Sequence, residues 1–95
     1  MIEGTAKIVL TRRWPDAVEE RMRTLGEVTL NETDRPMTKA QLRAALANAD
    51  VVCPTVTDPL GEEVFAGLEV RTKLLANFGV GFNHIDLSAA RGAGV

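Results

Sequence analysis

Lys73-Leu-Leu-Ala-Asn-Phe-Gly-Val-Gly-Phe-Asn-His-Ile-Asp86 contains an apolar run, a turn with two glycines and an aspartate that can cap a helix. This order predicts a buried strand, a tight turn and a helix N-terminus in direct succession. Backbone N–H groups are exposed where a strand ends on glycines beside a helix start, and such a place can hold a small anion. The stretch therefore predicts both a strand–helix unit and a candidate anion site.

The same strand–helix unit recurs along the chain. Apolar runs predict four strands, and amphipathic spacing predicts a helix after each of them. The predicted strands are residues 7–10, 27–30, 51–53 and 73–78, and Val95 has the character of the first residue of a fifth. Because crossovers between parallel strands each need a helix, this order predicts an α/β fold: a mostly parallel sheet with helices on both faces.

The first predicted helix follows Trp14-Pro15. Val18, Met22 and Leu25 recur at the spacing of one helical face, so we expect them to point inward. The same periodicity places Glu19-Glu20 on the exposed side. These two acids are therefore not candidates for a catalytic pair.

Polar residues mark the starts of the other three helices. Thr38 and Gln41 have the spacing of a capping box. Asp58-Pro59 has the order of a cap followed by a proline in the first turn. Asp86 is the predicted cap of the last helix, in which Leu87 and Ala90 are expected to face inward.

The composition excludes several classes of protein. Ninety-five residues with a formal charge of −2 predict one small domain, and the scattered basic residues argue against nucleic-acid or membrane-surface binding. A single cysteine excludes an intramolecular disulfide and a cysteine-based metal site. The apolar runs are far shorter than the roughly 20 residues that span a bilayer. We expect a cytoplasmic chain that binds neither nucleic acid, membrane nor metal.

Ligands bind beyond the carboxyl ends of the strands in such sheets, so residues 11–14, 54–57 and 77–86 are the places to search. The glycines around Val80 and Gly81 resemble part of the dinucleotide motif GxGxxG, but the third glycine position is His84. The N–H groups of Val80 and Gly81 can instead converge on one carboxylate. A glycine turn without a ligand fits the spacing equally well. The patterns around His84 and Cys53 favour structural roles over catalytic ones.

Three segments together resemble a known family. Thr11-Arg-Arg-Trp-Pro15, Ala49-Asp-Val-Val-Cys53 and residues 76–86 resemble the N-terminal part of the D-isomer-specific 2-hydroxyacid dehydrogenases. The first segment is most similar to the glyoxylate/hydroxypyruvate reductase branch. The resemblance covers essentially the whole chain, and residues 79–86 are its most specific part.

The resemblance implies a flavodoxin-like sheet that stops before its fifth strand. Residues 1–95 would be an incomplete substrate-binding domain, without the Rossmann NAD(P) domain. The family's contact with the substrate carboxylate falls on the N–H groups of Val80 and Gly81, and Thr55 and Val56 line the same pocket. The family's catalytic residues and cofactor site lie beyond residue 95, so no catalytic, cofactor-binding or metal-binding residue is expected here, and His84 is not the family's catalytic histidine.

The implied parent protein is a homo-oligomer, a dimer, that reduces a small 2-oxo acid to the D-2-hydroxy acid with NAD(P). The 95-residue chain alone is expected to bind no cofactor and to be inactive. The competing hypothesis is a stand-alone flavodoxin-like binding or interaction module with no redox role.

Overall fold

The computed structural model describes residues 6–55, 57–77 and 84–95. Strands and helices alternate throughout these ranges, as the sequence pattern predicts. The elements are β1 (Ala6–Leu10), α1 (Asp16–Arg23), β2 (Gly26–Thr29), α2 (Lys39–Asn48), β3 (Val51–Cys53), α3 (Glu62–Phe65), β4 (Leu74–Leu75) and α4 (Leu87–Gly92).

The four strands form one parallel sheet in the order β2-β1-β3-β4. Chain order and sheet order differ because β1 lies between β2 and β3, which is the flavodoxin-like arrangement. The predicted α/β fold with a parallel sheet is confirmed. Among the described strands, β2 and β4 form the two edges of the sheet.

Each face of the sheet contributes to a separate core. Val52 on one face packs with the buried side chains of α2, α3 and α4. On the other face, Ile8, Leu10 and Cys53 form a smaller cluster against which Met22 of α1 packs. Neighbouring residues of a strand point to opposite faces, so this alternation explains how Val52 and Cys53 join different cores. The prediction of helices on both faces is confirmed.

Helix α2 matches its prediction closely. The Thr38 hydroxyl accepts the Gln41 N–H at 3.1 Å, and the Gln41 side chain accepts the Thr38 N–H at 2.8 Å. This reciprocal pair satisfies two N–H groups that a helix start would otherwise leave free. The buried side of the helix consists of Leu42, Ala45 and Leu46, and the adjacent Ala49 is buried as well.

Helix α1 differs from its prediction. Val18 and Leu25 are exposed by 37% and 66%, whereas Glu19, expected on the surface, is only 2% exposed. The physical reason is a short-range ion pair, because Arg13 turns back across the helix start and binds the Glu19 carboxylate. Hydrophobic periodicity takes no account of a charge partner that lies outside the helix.

Three further expectations need correction. Asp58 does not cap α3, which begins at Glu62 after Gly61 in the capping position. Leu87 of α4 is 48% exposed rather than inward, although Asp86 does cap that helix by accepting the Ala89 N–H at 3.0 Å. Strand β4 has two residues in place of the predicted run 73–78, the last residue of which lies outside the described ranges.

Candidate substrate-binding site

The carboxyl ends of β1 and β3 lie side by side. Leu10 pairs with Cys53, and the Thr11 N–H donates to the Cys53 carbonyl at 3.3 Å. The loops that follow the two strands, 11–14 and 54–57, are therefore neighbours, as their predicted roles require. The third predicted place, 77–86, is described only at its two ends.

A buried hydrogen-bonded pair, the Thr11–Asp58 clasp, joins these two loops. Both residues are fully buried, and the Thr11 hydroxyl donates to Asp58 Oδ2. The same oxygen accepts the Thr55 N–H at 2.8 Å, while the Asp58 N–H donates to the Thr55 carbonyl at 3.0 Å. The loop after β3 is thus closed on itself and fixed to the end of β1.

A chain of polar contacts continues from the clasp to the surface. The hydroxyls of Thr55 and Thr57 are 2.8 Å apart, and Arg12 Nη1 donates to Thr57 Oγ1 at 3.2 Å. Arg12 Nε donates to Asp34 Oδ1 at 3.0 Å, and that oxygen also accepts the Arg13 N–H at 2.8 Å. The Arg13 N–H and the Arg12 guanidinium hold the pKa of Asp34 below its usual value. Arg12 is therefore half-buried and bound within the loops.

The second arginine braces the turn between β1 and α1. Arg13 forms a bidentate pair with Glu19 through contacts of 2.9 and 2.8 Å, and the Trp14 N–H donates to the same carboxylate at 2.8 Å. The bond from Arg13, followed by the bond from Trp14, lowers the pKa of Glu19 to about 2. The Glu19 carboxylate in turn raises the pKa of Arg13. This guanidinium is therefore paired with a carboxylate through its Nε and Nη2 groups.

Residues 84–86 are hydrogen-bonded to Leu60, which follows the loop after β3. The Leu60 N–H donates to the His84 carbonyl at 2.8 Å, and the Asp86 N–H donates to the Leu60 carbonyl at 2.9 Å. The His84 ring nitrogen Nε2 is 2.8 Å from Asn77 Oδ1. His84 is half-buried, and its structural role stays a prediction.

Cys53 is a core residue at the end of β3. Its side chain is buried, and burial raises the pKa of its thiol to about 11. The thiolate is the nucleophilic form, so a raised pKa leaves the group inert at neutral pH. The prediction of a structural cysteine is confirmed.

The predicted site residues fall into two groups. Val80, Gly81 and Val56 lie outside the described residues, so their roles stay predictions. Thr55 is half-buried and stands at the centre of the contacts above. Sequence reasoning missed the role of Asp58, because an Asp-Pro pair ahead of an apolar helical face has the form of a helix cap.

The end of β1 differs from a dinucleotide-binding loop. The end of β1, where a dinucleotide loop would need glycines, carries the buried Thr11 and two ion-paired arginines. Across 6–55, 57–77 and 84–95, no group of three metal-binding side chains comes together. In the same ranges the longest helix has ten residues, and no helix has the length and apolar character needed to cross a bilayer. The arrangement fixes the loop after β3 beside the end of β1.

Comparison of the sequence with models of known protein families identifies the family of this chain. The family model for the D-isomer specific 2-hydroxyacid dehydrogenase catalytic domain matches residues 8–95. The chain belongs to this family. The resemblance noted from the sequence motifs is thereby confirmed.

Characterised relatives and solved structures agree with this family membership. Glycerate dehydrogenase from Hyphomicrobium methylovorum is 26% identical over 89 residues, and glyoxylate reductase from Thermococcus onnurineus (strain NA1) is 27% identical over 89. These matches cover 94% of this chain but only 28% and 26% of the relatives. A structure from Polaromonas sp. JS6 66, assigned to the NAD-binding D-isomer specific 2-hydroxyacid dehydrogenases, superposes with a TM-score of 0.86 at 31% identity. The superposition covers 96% of this chain and 28% of that one. The chain spans little more than a quarter of the length of these relatives.

Proposed function

We propose that this chain is the substrate-binding part of an NAD(P)-dependent oxidoreductase that reduces a small 2-oxo acid, of the glyoxylate or hydroxypyruvate type, to the D-2-hydroxy acid. The family membership supports the class of reaction. The names of two relatives, a glycerate dehydrogenase and a glyoxylate reductase, support a substrate of two or three carbons.

The observation that carries this proposal is the fixed loop at the joint end of β1 and β3. Thr55 is held there by the clasp, and the same loop is bonded through Leu60 to the segment that begins at His84. Residues 80 and 81 lie only a few positions before that segment in the sequence. In the proposal, the N–H groups of Val80 and Gly81 bind the substrate carboxylate while Thr55 and Val56 line the pocket.

In this proposal the chain contributes binding and orientation. Backbone N–H groups at a glycine turn beside a helix start carry partial positive charge, which favours a carboxylate by a few tenths to about 1 kcal/mol. A loop that is already fixed loses little further freedom when the ligand binds. No proton or hydride transfer is assigned to a residue of this chain.

The isolated chain should therefore be inactive. We expect no NAD(P)H-dependent reduction of glyoxylate or hydroxypyruvate by the purified 95-residue chain, and no binding of the cofactor. We also propose that residues 1–95 are an incomplete substrate-binding domain and that the parent protein has a separate Rossmann NAD(P) domain. The cytoplasmic location expected from the sequence stays a prediction.

We further propose that the chain forms a homodimer through the edge at β4. On its described side this strand pairs with β3, and Leu74 is 55% exposed beside a groove of about 390 Å³. A sheet edge with exposed apolar side chains is a template for pairing with a strand of another chain. A second copy of this chain, with its own β4, is the partner we propose.

Protection against thermal unfolding tests the carboxylate site. Oxamate is a stable analogue of a 2-oxo acid. At about five times its dissociation constant it should stabilise the chain by about 1 kcal/mol, a rise of about 5 °C in the midpoint. Acetamide and sodium chloride at matched concentrations should have no such effect.

A pair of glycine variants controls this test. Gly81→Ala should lose the oxamate effect, since a side chain is added at the proposed carboxylate contact. Gly92→Ala should keep it, because a β-carbon at Gly92 meets no atom within 4 Å. Equal responses in both variants, or none in the parent chain, would count against the proposal and favour a binding module of another kind.

A further inference from the structure

Asp58 is an unexpected residue to find in the interior. It is 0% exposed, and its Oδ1 atom has no hydrogen-bond partner in the described parts of the chain. Burying a carboxyl group with one oxygen unpaired costs free energy that an apolar residue of similar size would not. Stability alone therefore does not account for an aspartate at this position.

The contacts of its other oxygen show what Asp58 does. Oδ2 accepts the Thr11 hydroxyl and the Thr55 N–H, so this single atom links the end of β1 to the backbone of the loop after β3. Hydrogen bonds to an ionised acceptor are about twice as strong as neutral ones. A carboxylate here can fix the loop more firmly than a neutral side chain of the same size.

The loop is also held at two further points. Outside the clasp, Arg12 binds the Thr57 hydroxyl, which lies next to that of Thr55. Two residues beyond Asp58, Leu60 exchanges backbone hydrogen bonds with the segment from His84 to Asp86. The segment from Thr55 to Leu60, which contains Asp58, thus contacts two other parts of the chain, the end of β1 and residues 84–86.

We propose that Asp58 is a positioning residue for the loop 54–58: its buried carboxylate fixes the Thr55 backbone at the wall of the pocket, an inference that rests on the proposed function of that pocket. Asp58 does not contact the substrate itself. It affects ligand affinity by holding the Thr55 backbone in position. A purely structural clasp would change the stability of the fold without a separate effect on ligand affinity.

Thr11 offers the sharper test of the clasp, since Thr11→Val removes the hydroxyl with little change in shape. In Thr11→Val we expect the dissociation constant for oxamate to rise about 5-fold while the chain stays folded, and Thr11→Ser should restore it. Thr24→Val is the matched control, because the Thr24 hydroxyl makes an exposed bond to the Arg21 carbonyl far from the site. Unchanged affinity in folded Thr11→Val would overturn the proposal.

Amide hydrogen exchange separates this inference from the proposed function. In Thr11→Val the Thr55 amide should exchange about 10-fold faster, with no matching change at Ala45 and Leu46 in α2, and Thr11→Ser should not differ from the parent chain. The exchange measurement can be made even if the parent chain does not bind oxamate. Absence of binding would contradict the proposed function, whereas the exchange rates would still test the role of the clasp. Uniform acceleration at all three amides, or none at Thr55, would overturn the positioning role.

A second variant covers the case in which Thr11→Val fails to fold. Asp58→Asn keeps the size of the side chain and removes its charge, which weakens the bond to the Thr55 N–H. We expect the Thr55 amide to exchange about 5-fold faster in this variant. Exchange at the parent rate in folded Asp58→Asn would likewise contradict the proposal.

Discussion

The carboxyl end of the sheet and its β4 edge differ in the kind of side chain that they bury. At the carboxyl end of β1 and β3, Thr11 and Asp58 are completely buried and hydrogen-bonded across the strands. Along the β4 edge, Leu74 is more than half exposed, and Leu87 nearby is 48% exposed. Polar groups lie inside where a loop is fixed, and apolar groups lie outside where the sheet ends.

At the carboxyl end, buried polar groups find partners within the chain, whereas at the β4 edge apolar side chains stay exposed. Buried polar groups are stable when partners satisfy them, and Asp58 Oδ2 and the Glu19 carboxylate have such partners in Thr11 and Arg13. The exposed leucines beside the groove present apolar surface to solvent, which favours contact with another protein surface. In our account the ligand binds at the carboxyl end of β1 and β3, called the braced end, and a second copy of the chain binds at the β4 edge, called the open edge.

The largest expected effect comes from breaking the brace at Glu19. Glu19→Ala should lower the free energy of unfolding by about 2 kcal/mol, because it removes a buried side chain that accepts charge-assisted bonds from Arg13 and a bond from the Trp14 N–H. Urea unfolding measures the change. The neighbouring Glu20 is exposed, and Glu20→Ala should stay within about 0.5 kcal/mol. Equal effects of the two substitutions would show that the brace is not a distinct feature.

Acid should weaken the same brace in a defined pH window. The pKa of Glu19 is about 2 in the folded chain, below its value of about 4.3 in an unfolded chain. The paired carboxylate therefore contributes stability above about pH 5, and this contribution is lost as the pH falls towards 2. The difference in unfolding free energy between the parent chain and Glu19→Gln should shrink across that window. A difference that stays constant from pH 7 to pH 2.5 would refute the assigned pKa.

The open edge should respond to charge with a smaller change in free energy. Leu74→Lys should raise the dissociation constant of the dimer by about 10-fold or more, since a charged side chain blocks strand pairing at an edge. Stability of the single chain should change by no more than about 0.5 kcal/mol at so exposed a position. Sedimentation velocity across the micromolar range measures the association. Leu25→Lys, at an exposed leucine after α1, is the control and should leave the dimer intact.

Local sequence rules predicted the fold well where they described complete interactions. The capping box at Thr38 and Gln41 is encoded within four residues, and both of its hydrogen bonds are present. The strand–helix alternation fixed the parallel sheet, since crossover geometry leaves few other arrangements. The burial of α2 agrees with its helical spacing, since Leu42, Ala45 and Leu46 lie on one face of the helix.

The errors occur where a side chain meets a partner that local rules do not see. Glu19 was expected in solvent, but a bidentate bond from Arg13 six residues earlier draws it inside. Asp58 was read as a cap for the following helix, whereas its carboxylate turns back to Thr55 and across to Thr11, 47 residues away. Leu87 is 48% exposed rather than in the core. These positions border the candidate site or the open edge.

The central claim is that a 2-oxo acid binds at the braced end of the sheet. The most direct test is the map of amide chemical-shift changes when oxamate is added to the isotopically labelled 95-residue chain. Our account predicts that the largest changes fall on Thr55, Val80 and Gly81, with none at Leu74 or Leu75. Changes centred on the groove beside β4, or no changes at any oxamate concentration up to about ten times that used for thermal protection, would contradict it.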